Sequence, residues 1–336
     1  MNKPRITVLM PVYNGEKYIG EAIESILNQT FANYEFVIID DCSTDKSKKN
    51  IQTYHDPRIN FISNNENLGL INTLNIGLAL AQGEYIARMD QDDISLPQRL
   101  EKQLAFLDNH PEIGVCGTGF KTINQKGAST AVTQFPNQSS LLNWQLHFFC
   151  PLVHPTVMMK TSLVKKVGGY NKNATYYEDY DLWVRLCSIT QLTNLDDILF
   201  CLRKHKENTS QTHLSEQTNN SIKICWELIS KTLNKDVSVD IVRQLYLNDY
   251  ADVNAAIQIS NLIRKLYDSF INRNKLTSQE IILIRNDVAR RLFSLTGRFW
   301  HNIRTWKIMI TVLIFDPWFI FKGIKYLFKK FVRNSY

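Results

Sequence analysis

The sequence predicts an α/β protein built on a mostly parallel central sheet with helices on both faces. Two observations carry this reading. Continuous apolar runs alternate with stretches of helical spacing through the N-terminal third of the chain, the pattern of strands buried on both faces. Three of those runs also end in polar clusters, Tyr13-Asn14, Asp40-Asp41 and Asp90-Gln91-Asp92-Asp93. In an open sheet of this kind they share the rim where ligands bind.

Taken in order, residues 6–10 (Ile-Thr-Val-Leu-Met) form the first strand, ended by Pro11-Val12-Tyr13-Asn14-Gly15. Residues 18–27 place Ile19, Ile23, Ile26 and Leu27 at helical spacing. Residues 36–39 are a second strand, and Ser43, Thr44 and Asp45 offer caps to a helix reaching residue 54. A strand at 59–62, a helix at 70–81 and a strand at 85–89 follow, then a helix at 97–107 opened by Pro97. Strands are expected at 113–118 and within 121–133, about a turn at Asn124-Gln125-Lys126-Gly127, with a short helix at 141–149. Residues 154–159 read as a strand, Gly168-Gly169-Tyr170 as a sharp stop, 176–186 as a helix with an acidic start, and 198–202 as a last strand. Beyond residue 207 the pattern is helical, over 222–233, 239–247 and 257–271.

The chain has 336 residues, is 44% hydrophobic and carries a net charge of +7. From Arg298 onward eight cations face the single acid Asp316, so the tail accounts for the whole excess. A local basic feature of this kind argues against a nucleic-acid binder. Six scattered cysteines without a Cys-x-x-Cys pair argue against a zinc site or disulfide framework and fit reduced thiols in the cytoplasm. The first apolar run is too short for a secretory leader, and no stretch is long and apolar enough to span a bilayer.

Asp90, Asp92 and Asp93 put three like charges within four residues, which is unfavourable without a positive partner. A hard divalent cation shared with substrate phosphates would supply one. The plainer alternative is that Asp90 ends a strand while Asp93 or Ser95 caps the next helix.

The series Pro11-Val12-Tyr13-Asn14, Asp40-Asp41-Cys42-Ser43-Thr44-Asp45, Asn67-Leu68-Gly69, Asp90-Gln91-Asp92-Asp93 and Glu178-Asp179 resembles the family-2 glycosyltransferases, which have the GT-A fold, over roughly the first two-thirds of the chain. The resemblance implies a nucleotide-sugar donor, usually a UDP-sugar, with Mn²⁺ or Mg²⁺. Pro11, Val12, Tyr13 and Asn14 would line the nucleoside pocket, with the Tyr13 ring near the base. Asp41 would accept a hydrogen bond from the base, supported by Asp40. Asp90 would lie near the ribose or a metal-bound water, and Asp92 would bind the metal, with His205 as a further ligand or a plain loop histidine. Arg88 either binds diphosphate or pairs with Asp90. Asp179, with Glu178 second, would be the base of an inverting transfer; the alternative is that both merely start a helix. His154 and Trp183 are candidates for the acceptor side, against strand-end and helix-core alternatives.

Eleven aromatic residues stand among the cations from residue 298 to the end, and residues 321–333 show amphipathic spacing. This predicts a peripheral anchor on the inner membrane surface, against the alternative of a helix packed on protein. The expected organisation is a GT-A domain over 1–206, a helical appendage over 207–296 and a basic aromatic tail over 297–336. The expected activity is sugar transfer to a glycan or lipid-linked glycan during cell-surface polysaccharide synthesis. The alternatives are a nucleotidylyltransferase-like enzyme and a non-catalytic scaffold binding sugar nucleotide or lipid.

Overall fold

The computed structural model describes residues 3–206, 208, 212–297, 299 and 301–317. Strand β1 (Ile6–Val12) is buried along its whole length. It pairs in parallel with β2 (Tyr34–Asp40) on one side and β4 (Tyr85–Arg88) on the other, and β3 (Ile59–Ser63) extends the sheet beyond β2. Helices α1 (Ile19–Leu27), α2 (Ser47–Ile51) and α3 (Leu70–Leu80) make the crossovers. α1 lays Ile19, Ala22, Ile23 and Ile26 into the core beneath the sheet. The chain leaves β1 toward β2 and β3, then returns to β4 on the other side. A crevice therefore opens at the carboxyl ends of β1 and β4.

Pro11 was expected to end the first strand, yet β1 continues through it to Val12. Pairing with β4 stops at Leu9, opposite Arg88, and the last bond on that side runs from Met89 N to Leu9 O. Successive residues of a strand point their backbone groups to alternate neighbours, so Pro11 faces the side where β4 has already left. Its missing N–H therefore removes no ladder bond.

The rest of the sheet is more mixed than the sequence suggests. β5 (Ile94–Ser95), α4 (Arg99–Asn109), β6 (Ile113–Ile123), β7 (Ser129–Thr133) and α5 (Ser139–Gln145) lead to β8 (Met158–Lys160), α6 (Thr161–Lys166), α7 (Glu178–Cys187) and β9 (Gln191–Arg203). Among the described residues the strand order is β3-β2-β1-β4-β8-β6-β9-β5, with β7 on β6. β8 runs antiparallel to both its neighbours, while β6 and β9 are parallel. The strand expected at 154–159 is shorter. His154–Thr156 form a 3-10 turn because Pro155 offers no N–H to a ladder, and β8 starts at Met158. β9 begins well before residue 198, because pairing with β6 recruits a polar stretch that has no apolar signature.

The chain divides into two units, residues 1–142 with 150–221 and residues 143–149 with 222–336. The first holds the sheet. The second is helical, with Val239–Leu247, Val253–Arg273, Ser278–Ser294 and Trp306–Phe315. Asp252 caps the second of these helices, and a Thr277–Glu280 capping box opens the third, which the sequence reading missed. Within this unit the buried Trp144 donates its indole N–H to Asp287 at 2.8 Å, and Asp287 also pairs with Arg290 and Arg291. No helix among the described residues is long and apolar enough to cross a membrane. The amphipathic spacing at 321–333 lies outside the described residues.

Candidate active site

Two loops are laced together at the end of β1. Asn14, in the left-handed region at φ 51°, accepts from Thr44 N at 2.8 Å, and its own N–H donates to Ser43 Oγ at 3.0 Å. Gly15 N donates to Ser47 Oγ at 2.7 Å. Gln91 reaches across from the acidic loop and imitates a neighbouring strand. Its amide accepts from Tyr13 N at 2.8 Å and donates to Tyr13 O at 2.9 Å. A Cβ on Gly15 would lie 2.5 Å from Gln91 Oε1, so any side chain here has to displace the Gln91 amide from Tyr13. The result is a fixed backbone at Tyr13 whose ring is 46% exposed on the rim, available for stacking. Pro11 and Val12, by contrast, are buried within β1 and present no side chain to a ligand.

Asp40 and Asp41 end β2 and are both buried. Asp40 accepts from Ser63 Oγ at 3.2 Å. Asp41 accepts from Asn64 Nδ2 at 2.8 Å, Leu68 N at 2.9 Å and Gly69 N at 2.8 Å, which seats the Asn67-Leu68-Gly69 turn at the start of α3. Most of its accepting capacity is therefore already occupied within the chain.

The acidic loop separates its three carboxylates by partner. Asp90 pairs with Arg88 at 2.6 Å, and the Arg88 side chain is almost completely buried. Of the two roles open to Arg88, the structure shows the pairing. Asp93 is buried and accepts from Arg203 N at 2.7 Å. Burial, with Asp92 and Asp90 nearby, pushes its pKa well up. Asp92 points the other way: its Oδ2 lies 2.7 Å from His205 Nε2 and accepts from Asn208 Nδ2 at 3.0 Å. Burial and then Asp90 raise its pKa, against the lowering effect of His205. Neither Asn208 nor Arg203 was a candidate from sequence. Arg203 lies over the Tyr18 ring, bonds Asp92 O at 2.8 Å and pairs with Glu21, which fixes the end of β9 beneath the loop.

Among the described residues no three His, Cys, Asp or Glu side chains converge on a point that could hold a metal. Asp92 and His205 nevertheless suit two positions of an open site. They are adjacent, partly buried and on the rim, and the charge on Asp92 is disfavoured first by burial and then by Asp90. A cation whose remaining ligands are substrate oxygens and water fits that set.

Glu178 and Asp179 open α7. A helix N-terminus alone would favour their charged forms. Burial wins instead, lifting Glu178 to about 7 and Asp179 to about 6, with Asp179 adding to the shift of Glu178. Arg88 opposes both shifts and Asp90 adds to both, so the α7 pair lies within the field of the acidic loop. Asp179 is the more exposed of the two. Its Oδ1 accepts from Tyr180 N at 2.7 Å, which turns the carboxylate along the helix start.

The two acceptor-side candidates are corrected. Trp183 is fully buried, and His154 is buried with its Nε2 2.8 Å from Tyr170 Oη. Their rings meet edge-on at 6.0 Å. Burial, with Arg88 next, drives the His154 pKa far down, so this is a neutral core pair behind α7.

A family model described as Glycosyl transferase family 2 matches residues 7–168. An uncharacterised glycosyltransferase of Haemophilus influenzae is 32% identical over 293 residues, covering 84% of this chain and 90% of the relative. The O-antigen biosynthesis glycosyltransferase WbnJ of Escherichia coli is 34% identical over 221 residues, covering 62% and 84%. Among solved structures, S. aureus TarS residues 1–349 in complex with UDP-GlcNAc superposes with a TM-score of 0.57 at 20% identity, covering 92% of this chain and 90% of that one. At that identity the likeness shows the fold, a GT-A-like sheet.

Proposed function

The chain belongs to glycosyl transferase family 2, and on that footing we propose that it moves a sugar from a UDP-sugar to a hydroxyl of a lipid-linked or growing glycan, with inversion at the anomeric carbon. The observation that carries this reading is the α7 acid pair, lifted toward neutrality by burial within the field of Asp90 and Arg88. A base poised near the working pH is what an acceptor hydroxyl needs. The TarS complex with UDP-GlcNAc supports a UDP-sugar donor, and the WbnJ relative supports polysaccharide synthesis.

In this mechanism the Tyr13 ring stacks on the base, and the free accepting capacity of Asp41 reads its edge. Asp90, held by Arg88, faces the ribose. Asp179 takes the acceptor proton as the new bond forms, and Glu178 tunes it. Asp92 and His205 are the residues that would hold Mn²⁺ or Mg²⁺, and such an ion would supply positive charge to the diphosphate leaving group. Residues 1–206 act as the catalytic domain and 207–296 as an appendage. The tail from 297 keeps the enzyme at the cytoplasmic face of the membrane, where a lipid-linked acceptor is presented.

The test is a binding and turnover screen of the purified chain against UDP-, GDP- and dTDP-sugars with and without Mn²⁺. Release of UDP dependent on Mn²⁺ and lost in Asp92→Ala is expected. No nucleotide release from any donor would leave the scaffold alternative standing. An NMR spectrum of the product with a retained anomeric configuration would overturn inversion.

A further inference from the structure

We propose that helix Trp306–Phe315 docks on an anionic phospholipid surface through a stripe formed by Ile303, Trp306, Ile310 and Ile314, an inference that rests on the membrane placement above and names the contacting face. One face of this helix is already used. Ile308, Thr311 and Val312 are buried, and Arg285 of helix Ser278–Ser294 donates to the carbonyl oxygens of Ile314 at 2.6 Å and Phe315 at 3.2 Å. On the other face Trp306, Ile310 and Ile314 stand four residues apart, 63%, 59% and 61% exposed, and Ile303 precedes them at 81%. Four-residue spacing puts them on one strip of the helix. Scattered exposed apolar residues need no explanation, but an aligned row of large ones marks a contact surface.

The charge around the stripe selects the occupant. Arg304 and Lys307 are exposed beside it, and the one acid after residue 297, Asp316, is buried. Five more cations follow in the sequence, Lys322, Lys325, Lys329, Lys330 and Arg333, with no acid among them. A second copy docking this face on itself would bring like charges together. Anionic headgroups complement them, and an indole beside lysine suits the interface between headgroups and acyl chains. Ten residues of helix are about 15 Å long, too short to span, so the helix lies in the plane of the surface.

The experiment is flotation of the full chain with vesicles of phosphatidylcholine alone and with about 30% phosphatidylglycerol. Wild type should float with the anionic vesicles, less so as salt rises. The triple variant Trp306→Ser, Ile310→Ser, Ile314→Ser should bind at least about tenfold more weakly, with unchanged melting temperature and unchanged donor hydrolysis. Intact hydrolysis with lost flotation separates this surface from the catalytic reading. A brominated phospholipid should quench tryptophan emission of the wild type more than that of Trp306→Phe. Three results would overturn the proposal: a triple variant that floats like the wild type, equal quenching in Trp306→Phe, or a wild-type dimer in sedimentation that the triple variant dissociates.

Discussion

Asp179 faces two opposed demands. A carboxyl whose folded pKa is raised costs the fold stability in full above that value, and the penalty fades as pH falls from there to the ordinary carboxylate range. As the proposed base, Asp179 acts in the ionised form. Transfer by the wild type should therefore decline below about pH 6, roughly tenfold per unit, in a pH–rate profile at saturating donor. Asp179→Asn removes both effects. Its turnover should fall about 100- to 10,000-fold, while its melting temperature at neutral pH rises. A melting temperature that falls instead would assign the carboxylate a structural role. Asp92 makes a contrasting prediction: Asp92→Ala should keep the fold and lose Mn²⁺ binding by calorimetry, because the bonds from Arg203 that hold the end of β9 go to the Asp92 carbonyl oxygen and to Asp93, not to the Asp92 side chain.

At the level of elements, turns and caps decide how accurately the rim is placed. Gly15→Ala would drive a methyl group into Gln91 and loosen its grip on Tyr13. Nucleotide affinity by calorimetry should fall, with little change in pH profile. In the helical unit, Thr277→Ala removes one half of a capping box. It should cost about 1 kcal/mol in a denaturant melt. These elements differ in how visible they are in the sequence. β1, β2 and β4 are continuous apolar runs and are legible by eye. The first half of β9 is polar, and its strand character comes from β6 beside it. His154–Thr156 turns where a strand was expected because Pro155 lacks a donor.

Over the whole molecule, what the sequence shows and what it hides separate by distance along the chain. The polar clusters of the rim are local, so their grouping could be anticipated from strand order. Gln91 with Tyr13, Arg203 with Asp93 and Asn208 with Asp92 are contacts between residues 78, 110 and 116 positions apart, and no spacing rule announces them. Trp183 takes its helix-core alternative, while His154 lies in the core where the acceptor side was expected, because a ring near an acidic motif looks the same in sequence whether it faces a cleft or the core. The second unit has a long-range junction of its own, where Asp287 gathers Trp144, Arg290 and Arg291. Asp287→Ala takes the acceptor away from a buried indole N–H and the carboxylate away from Arg290 and Arg291. It should cost about 2–3 kcal/mol in a guanidinium melt.

The clamp between Gln91 and Tyr13 also constrains how this sequence can drift. A methyl group at position 15 is barred while the long amide lies over it, and shortening residue 91 first abandons the backbone it holds. The two sites are therefore expected to change together across descendants, and Gln91→Ala should restore the thermal stability of Gly15→Ala without restoring its hold on nucleotide.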